Sequence, residues 1–287
     1  MEFVNLNGKI LAAEQAVISA DNHAYRYGDG LFETMKIKNG KILLAALHFE
    51  RLWTGLSVLK FEIPRSITMK GLEEELLKLC KKNNCEEGAR VRLSVSRGNG
   101  GLFDGDEKFQ WLAECWPLPS LADELNENGL VIDIFPGARK SCDDFSNLKS
   151  ANHLPYVMAA LFAKENKWNE CLLLNTHERI CDGTTTNIFW IKNEEVFTPP
   201  LSEGCIAGVM RKFLLERIQG TSKRLQGTRY KAQERLMTED DLEDADEVFL
   251  TNAIQGIRWV KQFRGKNYTN KISKTLFSEF LNLLYEK

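Results

Sequence analysis

The sequence has few of the features that mark secreted, metal-binding or hydrolytic proteins. Its 287 residues include seven cysteines, an odd number with no CxxC pair among them. The four histidines lack the spacing of metal ligands and have no GxSxG serine to act on. Scattered cysteines of odd number are typical of reduced thiols. We therefore expect a cytoplasmic protein that contains no metal site.

Charge and hydropathy exclude two further classes. Lys and Arg number 38 and Asp and Glu number 40, which gives a net charge of -2. The chain therefore has no excess of positive charge for binding nucleic acid or an anionic membrane. No apolar run approaches the ~18 residues of a membrane span. The start of the chain lacks a basic segment followed by an apolar one. The expected partner is a small molecule, neither nucleic acid nor membrane.

Helical and strand patterns alternate along the chain, which predicts a mixed α/β fold. With 43% hydrophobic residues, the chain is long enough to bury two ordinary cores. The prolines and polar residues of WPLPSLADELNENG indicate a boundary between them. We therefore expect a smaller N-terminal α/β domain at residues 1–118 and a larger C-terminal α/β domain at residues 119–287.

Local patterns predict several elements. LFETMKI and KILLA flank Asn39 and Gly40, which indicates a β-hairpin. A helix is expected from about Leu44 and another in GVMRKFLLERI. Thr238 followed by Asp241 is typical of a capping box at the start of a short acidic helix.

Two charged side chains lie where the periodicity favours hydrocarbon. Glu33 shares a strand face with Leu31, and Arg51 shares a helix face with Leu47 and Val58. A buried guanidinium needs an anion, since buried charges are normally paired. From the pattern alone, that anion is either a protein carboxylate, Glu33 included, or the phosphate of a ligand.

Two glycine-rich segments are candidate anion sites. SRGNGG follows a strand but no helix pattern follows it, so it is rejected as a phosphate loop. SEGCIAGVMRKF places glycines at the start of a helix, where the amides of Val209 and Met210 would point at an anion. Lys149 lies between a polar loop and an apolar helix, and by position alone it is a surface lysine.

These segments, taken together and in order, resemble the signature blocks of the class IV aminotransferases. Members of that family are fold type IV enzymes that use pyridoxal 5'-phosphate. The resemblance extends from about residue 4 to about residue 262. The blocks that carry it are GDGLFETMKIKNGK, HFERL, NLKSANHLPYVMAA, ICDGTTTNIFWIKNEEVFTPPL and GCIAGVMR.

The resemblance implies a role for several residues. Lys149 would form the Schiff base with the cofactor and then transfer the substrate's proton. Arg51 would bind the cofactor phosphate, which is also expected at the amides of Val209 and Met210. Asn252 is expected to contact the cofactor as well.

Asp182 occupies the place where this family usually has a glutamate. That glutamate binds the protonated pyridine nitrogen, which keeps the cofactor ring an electron sink. Aspartate is one methylene shorter, so either the backbone approaches more closely or a water intervenes. A turn aspartate in CDGT is the alternative interpretation.

The resemblance also indicates substrate residues and a subtype. Tyr27, Glu33, Thr34 and Arg97 are expected to line the substrate pocket, with Arg97 binding a carboxylate. Thr34 stands where branched-chain aminotransferases tend to have glycine, and SRGNGGLF lacks the Arg-x-His of the D-amino acid enzymes.

The block ADEVFLTNAIQGI resembles the lyases of the family, so a lyase is the favoured activity. A branched-chain or D-amino acid aminotransferase is the alternative enzyme. A cofactor-binding protein without turnover is also considered, on the basis of Asp182. The family further implies a homodimer.

Overall fold

The computed structural model describes residues 1–103, 105–106, 108–219 and 230–285. The chain forms two compact units, of which the first is the smaller. The first contains Met1–Ala122 and Leu148–His153, and the second contains Asp123–Asn147 and Leu154–Lys287. Both combine helices with β-sheet, as the mixed α/β expectation requires.

The division differs from the expected one at Lys149, which belongs to the first unit. Residues 148–153 return to that unit because they bond to its third strand. The amide of Phe32 donates to the carbonyl of Lys149 at 2.9 Å, and the amide of Ala151 donates to the carbonyl of Gly30 at 2.8 Å. Sequence order gives no sign of this return, since both flanking segments belong to the second unit.

The first unit is built on a six-stranded antiparallel sheet in the order β2-β1-β6-β5-β3-β4. Its helices and strands are β1 Phe3–Leu6, β2 Lys9–Ala12, a 3-10 helix Ala13–Gln15, α1 His23–Tyr27, β3 Gly30–Lys38, β4 Lys41–Ile42, α2 Ala45–Val58, α3 Met69–Lys82, β5 Gly88–Ser96, β6 Gln110–Pro117 and a 3-10 helix Ser120–Asp123, whose last residue belongs to the second unit.

Strand alternation decides which face of this sheet is buried. Leu31, Met35 and Ile37 of β3 join the core under α2 and α3, together with alternate residues of β5 and β6. The hairpin prediction is confirmed, since Lys38 pairs with Lys41 across Asn39 and Gly40. Both turn residues have positive φ, 49° and 68°, as a tight hairpin turn requires.

Helix α2 buries a different stripe from the expected one. Phe49, Leu52 and Leu56 are buried, whereas Val58 is 39% exposed. Arg51 therefore lies at the border of the buried stripe, beside Leu52. From that position its side chain reaches the sheet.

The second unit contains a nine-stranded sheet in the order β12-β11-β10-β13-β14-β7-β8-β9, with β15 paired to β14. Its elements are β7 Leu130–Lys140, α4 Leu154–Glu165, β8 Glu170–Asn175, β9 Ile180–Gly183, β10 Asn187–Lys192, β11 Glu195–Thr198, a 3-10 helix Leu201–Glu203, α5 Val209–Gln219, β12 Ala232–Glu234, α6 Glu239–Asp244, β13 Glu247–Asn252, β14 Gly256–Phe263, β15 Lys266–Asn267 and α7 Lys271–Tyr285.

Side chains cap the N-termini of two helices in this unit. The capping box is confirmed at α6, where the Thr238 hydroxyl accepts from the Asp241 amide and the Asp241 carboxylate accepts from the Thr238 amide. The buried carboxylate of Glu247 accepts from the amides of Ile272 and Ser273 at 2.8 and 2.9 Å. A negative charge at a helix N-terminus is favourable, so Glu247 joins α7 to the sheet. Within the described residues, no helix is both long and apolar enough to span a membrane.

Candidate active site

The first unit contains a buried ion pair between Glu33 of β3 and Arg51 of α2. Arg51 Nε donates to Glu33 Oε1 at 2.7 Å, and Arg51 Nη2 donates to Glu33 Oε2 at 2.5 Å. His48 Nδ1, one helical turn before Arg51, lies 2.7 Å from Glu33 Oε2. Only 1% of the Glu33 side chain is exposed. Both carboxylate oxygens are therefore occupied by protein donors.

The electrostatics of this group follow from its burial. Burial acts to raise the pKa of Glu33, but the Arg51 guanidinium and the His48 hydrogen bond outweigh it and hold that pKa at about 2. Burial lowers the pKa of His48, so its ring is neutral at pH 7 and donates from Nδ1 to Glu33. The other ring nitrogen, His48 Nε2, is buried without a hydrogen-bond partner among the described residues.

Arg51 and His48 occupy both oxygens of the Glu33 carboxylate. The role expected for Glu33 in a substrate pocket stays a prediction. Of the two anions expected for Arg51, the structure shows the protein carboxylate, which is Glu33. A bidentate contact fixes the plane of the guanidinium, so Glu33 positions Arg51.

Lys149 lies beside the aromatic ring of Phe32, the residue that precedes Glu33 on strand β3. Its Nζ atom is 4.6 Å from the ring centroid, and the guanidinium carbon of Arg92 is 3.7 Å from the same centroid. The ring of His153 packs edge-on to Phe32 at 5.4 Å. Phe32 is thus a common platform for two cations and an imidazole.

Thr34 shares this side of the sheet with Phe32 and pairs with Arg92 across strands β3 and β5. Arg92 is partly buried, and this desolvation lowers the pKa of its guanidinium. A partly dehydrated guanidinium is well suited to bind a carboxylate. Tyr27, by contrast, is 43% exposed on α1, where it packs on His23.

The carboxylate-binding role expected for Arg97 stays a prediction, and the structure places its guanidinium in contacts within the protein. Its Nε atom donates to Asp29 Oδ2 at 2.8 Å, its Nη2 atom to the carbonyl of Leu59 at 2.6 Å and its Nη1 atom to that of Lys60 at 3.3 Å. Its guanidinium also stacks on Phe61. Arg97 therefore ties the end of α2 to β5, and its donors are used within the protein.

The second unit holds Asp182, at the end of β9, in a dense set of donors. Its Oδ2 atom accepts from the amide of Ile206 at 2.9 Å and from the hydroxyl of Tyr156 at 3.0 Å. Lys140 Nζ lies 3.5 Å from the same oxygen and also donates to the Tyr156 hydroxyl. Burial, reinforced by the Asp182 carboxylate, raises the pKa of Tyr156, so the phenol stays a donor at neutral pH. Asp182 is 2% exposed, which argues against a simple turn aspartate.

Asn187 connects Asp182 to the start of α5. Its Nδ2 atom donates to Asp182 Oδ1 at 3.2 Å and to the carbonyl of Ile206 at 2.9 Å. A Cβ atom at Gly208 would lie 1.8 Å from Asn187 Oδ1, so a larger residue there would displace the Asn187 side chain from Asp182.

Helix α5 starts at Val209, as expected. The first amides of a helix have no carbonyl of their own helix to bond, so those of Val209 and Met210 are suited to an anion.

Asn252 lies at the end of β13 and shapes its own turn. Its Oδ1 atom accepts from the amides of Ile254 and Gln255 at 3.0 and 2.8 Å. The side-chain oxygen is thus used locally, as is usual for an Asx turn. A cofactor contact by Asn252 would have to come from its other groups.

Several residues of these groups were missed by sequence reasoning. His48 and Asn187 lie inside the family blocks HFERL and ICDGTTTNIFWIKNEEVFTPPL, and Arg92 lies on β5, yet the local sequence does not indicate their partners. Tyr156 and Lys140 come from separate elements. Strand alternation predicts which face of β5 carries Arg92. It does not predict that Thr34 lies opposite, because that requires the pairing register of β3 and β5.

Comparison with known proteins identifies the family. The family model for amino-transferase class IV matches residues 30–263, so the chain belongs to the class IV aminotransferases. The aminodeoxychorismate lyase of Bacillus subtilis strain 168 is 29% identical over 288 residues, which is 99% of this chain and 94% of that protein. The D-alanine aminotransferase of Bacillus licheniformis is 26% identical over 254 residues, 87% of this chain and 84% of that protein.

A solved structure agrees with the fold. The crystal structure of 4-amino-4-deoxychorismate lyase from Pseudomonas aeruginosa superimposes with a TM-score of 0.82 at 26% identity, and the match covers 97% of this chain and 98% of that one. The predictions of the family and of its fold are therefore confirmed. The chain is an enzyme of a family that includes lyases and aminotransferases.

The Glu33 ion pair predicts an acid-sensitive contribution to stability. The folded pKa of about 2 lies below the ordinary value of 4.5, so this contribution is complete above pH 4.5 and is lost as the pH falls toward 2. The difference between these two pKa values corresponds to about 3 kcal/mol in the free energy of unfolding. Replacing Glu33 by Gln should lower the free energy of unfolding at pH 7 and flatten its pH dependence between 4.5 and 2.

Urea unfolding at pH 7, 4 and 3 measures this effect. Glu74→Gln removes an exposed carboxylate of the same unit and is the matched control. Parallel pH profiles for the wild type and the Glu33 variant would contradict the assignment.

Proposed function

We propose that the chain binds pyridoxal 5'-phosphate through the residues that the family resemblance indicated. The chemistry of the available groups fits such a molecule. Lys149 offers an amine for the aldehyde, Asp182 offers a buried carboxylate for the ring nitrogen, and Arg51 and the start of α5 offer donors for the phosphate. When bound, the cofactor supplies an aldehyde that condenses with amines and a ring that draws electrons from the substrate carbon.

Neighbouring residues hold the Arg51 and Asp182 side chains in place before the cofactor binds. Glu33 and His48 fix Arg51, so the guanidinium loses little freedom when it binds a phosphate. Tyr156, Asn187 and the amide of Ile206 fix the carboxylate of Asp182. The shorter side chain of Asp182 is thus compensated by a rigid surrounding, and a carboxylate can still accept one further hydrogen bond.

Within this family, we propose that the protein is an aminodeoxychorismate lyase, which forms 4-aminobenzoate and pyruvate for folate synthesis. The observation that carries the proposal is the similarity to the Bacillus subtilis lyase over 99% of this chain. The Pseudomonas aeruginosa structure supports it at 97% coverage. Thr34 and the sequence TNAIQGI agree with the lyase blocks rather than with the aminotransferase blocks.

In this reaction Lys149 would act as the base. Lys149 Nζ removes the proton from the ring carbon that bears the substrate's amine. The neighbouring carbon–oxygen bond then breaks, the enolpyruvyl group leaves and takes up a proton to become pyruvate, and the ring becomes aromatic. Arg92 lies over the same Phe32 ring as Lys149, at 3.7 Å from the ring centroid against 4.6 Å for the lysine amine.

An absorbance experiment tests the activity. The protein loaded with pyridoxal phosphate is mixed with aminodeoxychorismate in one cuvette and with isoleucine, glutamate or D-alanine in others. A lyase releases 4-aminobenzoate and pyruvate while the visible band persists. Bleaching by an amino acid, with recovery on adding a 2-oxo acid, would identify an aminotransferase instead. Lys149→Ala should abolish both the band and turnover.

Absence of turnover in every cuvette, with the band intact, would favour a binding protein and contradict the enzymatic proposal. The aminotransferase alternative is supported by the similarity to the Bacillus licheniformis D-alanine enzyme. The amino acids in the assay cover branched-chain, acidic and D-configured donors.

Arg92 is proposed to replace Arg97 as the residue that binds a substrate carboxylate. Arg92→Leu should raise KM for aminodeoxychorismate by at least tenfold, because a charge-assisted contact is worth about 1.5–3 kcal/mol. Arg90→Leu is the matched control, since Arg90 lies two residues away on the same strand and stacks on Trp116. Equal changes in KM for the two variants would rule out this role.

We propose that the protein is a homodimer. The support is a stripe of apolar side chains along α4: Leu154, Val157, Met158 and Leu161 are 65%, 49%, 46% and 47% exposed. Their spacing places them on one side of the helix, and such stripes normally mark an interface.

Sedimentation equilibrium should give twice the chain mass of 32.8 kDa. Replacing Val157 and Leu161 by Glu should shift the protein toward the monomer, while Lys274→Glu, at an exposed position of α7, should not. A monomeric wild type would refute the dimer.

We also propose a cytoplasmic location, which the seven free cysteines support. Cell fractionation tests it, and recovery of the protein outside the cytosolic fraction would count against it.

A further inference from the structure

Three buried cysteines of the first unit meet at one point in its core. Cys80 lies near the end of α3, Cys85 lies in the following loop and Cys115 lies on β6. Their exposed fractions are 0%, 6% and 0%. None of them takes part in the proposed reaction.

The sulfur atoms are close enough to bind one ion together. The Sγ atoms of Cys85 and Cys115 are 3.7 Å apart, and all three sulfurs lie within 4.8 Å of one another. At a metal–sulfur distance of about 2.3 Å, three sulfurs in a plane around one ion are about 4.0 Å apart. Only small side-chain adjustments would bring all three into this arrangement.

Local structure fixes the three thiols in this arrangement. The amide of Cys85 donates to the carbonyl of Cys80 at 3.0 Å, which folds the loop back on the helix end. The Cys85 thiol also lies 3.5 Å from that carbonyl.

The number and type of ligands select the ion. No other cysteine, histidine or carboxylate among the described residues joins the group. Structural zinc is almost always four-coordinate, and these buried sulfurs offer no fourth ligand. Soft sulfur ligands without a fourth donor suit a monovalent d¹⁰ cation. We propose that Cys80, Cys85 and Cys115 bind one Cu(I) ion in a three-sulfur site.

Binding would release protons from the thiols that become thiolates, so the apparent affinity should fall as the pH falls. Ordinary core packing is the competing explanation, because free cysteine behaves as a small apolar residue. Packing alone predicts no stoichiometric metal binding.

The experiment titrates the reduced full-length chain with Cu(I) under nitrogen, in competition with a chromophoric Cu(I) chelator. One equivalent should bind, and X-ray absorption should show three sulfur neighbours around the copper. Cys85→Ala should weaken binding by more than about 100-fold. Cys171→Ala removes another buried thiol, on β8 of the second unit, and should bind as the wild type does.

The proposal is overturned if the wild type binds no Cu(I), if the copper has fewer than three sulfur neighbours, or if Cys171→Ala loses as much affinity as Cys85→Ala. It also fails if one equivalent of Zn(II) displaces the copper. The absorption measurement on the wild type decides the matter even if Cys85→Ala does not fold. Activity with pyridoxal phosphate is independent of all these results.

Discussion

The bidentate bond between Glu33 and Arg51 is the interaction that allows a carboxylate to be buried between β3 and α2 of the first unit. A charge that is 1% exposed can persist only when it is paired and its remaining lone pairs are satisfied, and here Arg51 and His48 satisfy them. The pairing joins β3 to α2 and fixes the guanidinium plane. A structural ion pair and a phosphate-binding arginine are therefore compatible, because the first prepares the second.

Asp182 follows the same principle in the second unit. Its carboxylate is buried and surrounded by a phenol, an amide side chain, a backbone amide and an ammonium group. In both units a carboxylate is oriented by neutral donors together with one cation. The difference lies in function: Glu33 acts through Arg51, whereas Asp182 is proposed to contact the cofactor itself.

Much of the fold was predictable because it depends on neighbours in sequence. The Asn39-Gly40 turn and the Thr238 capping box need only a few adjacent residues. Site contacts need tertiary structure. Asp29, which pairs with Arg97, is 68 residues away, so nothing in the local sequence indicates that contact.

The return of Lys149 to the first unit likewise depends on pairing with β3, which no local pattern indicates. The three cysteines show the same limit, since they come from a helix, a loop and a strand. Family resemblance implied roles for Lys149 and Asp182, but it gave no information on the neighbours that contact them. His48 and Asn187 became visible only once their partners were known.

The central claim is that Glu33 prepares Arg51 to bind the cofactor phosphate. It is tested most directly by measuring the affinity of the wild type and of Glu33→Gln for pyridoxal phosphate and for pyridoxal, which lacks the phosphate. The variant should lose at least about tenfold in affinity for pyridoxal phosphate, or 1.4 kcal/mol, and bind pyridoxal as before. Equal losses for both compounds, or no loss for either, would contradict the account.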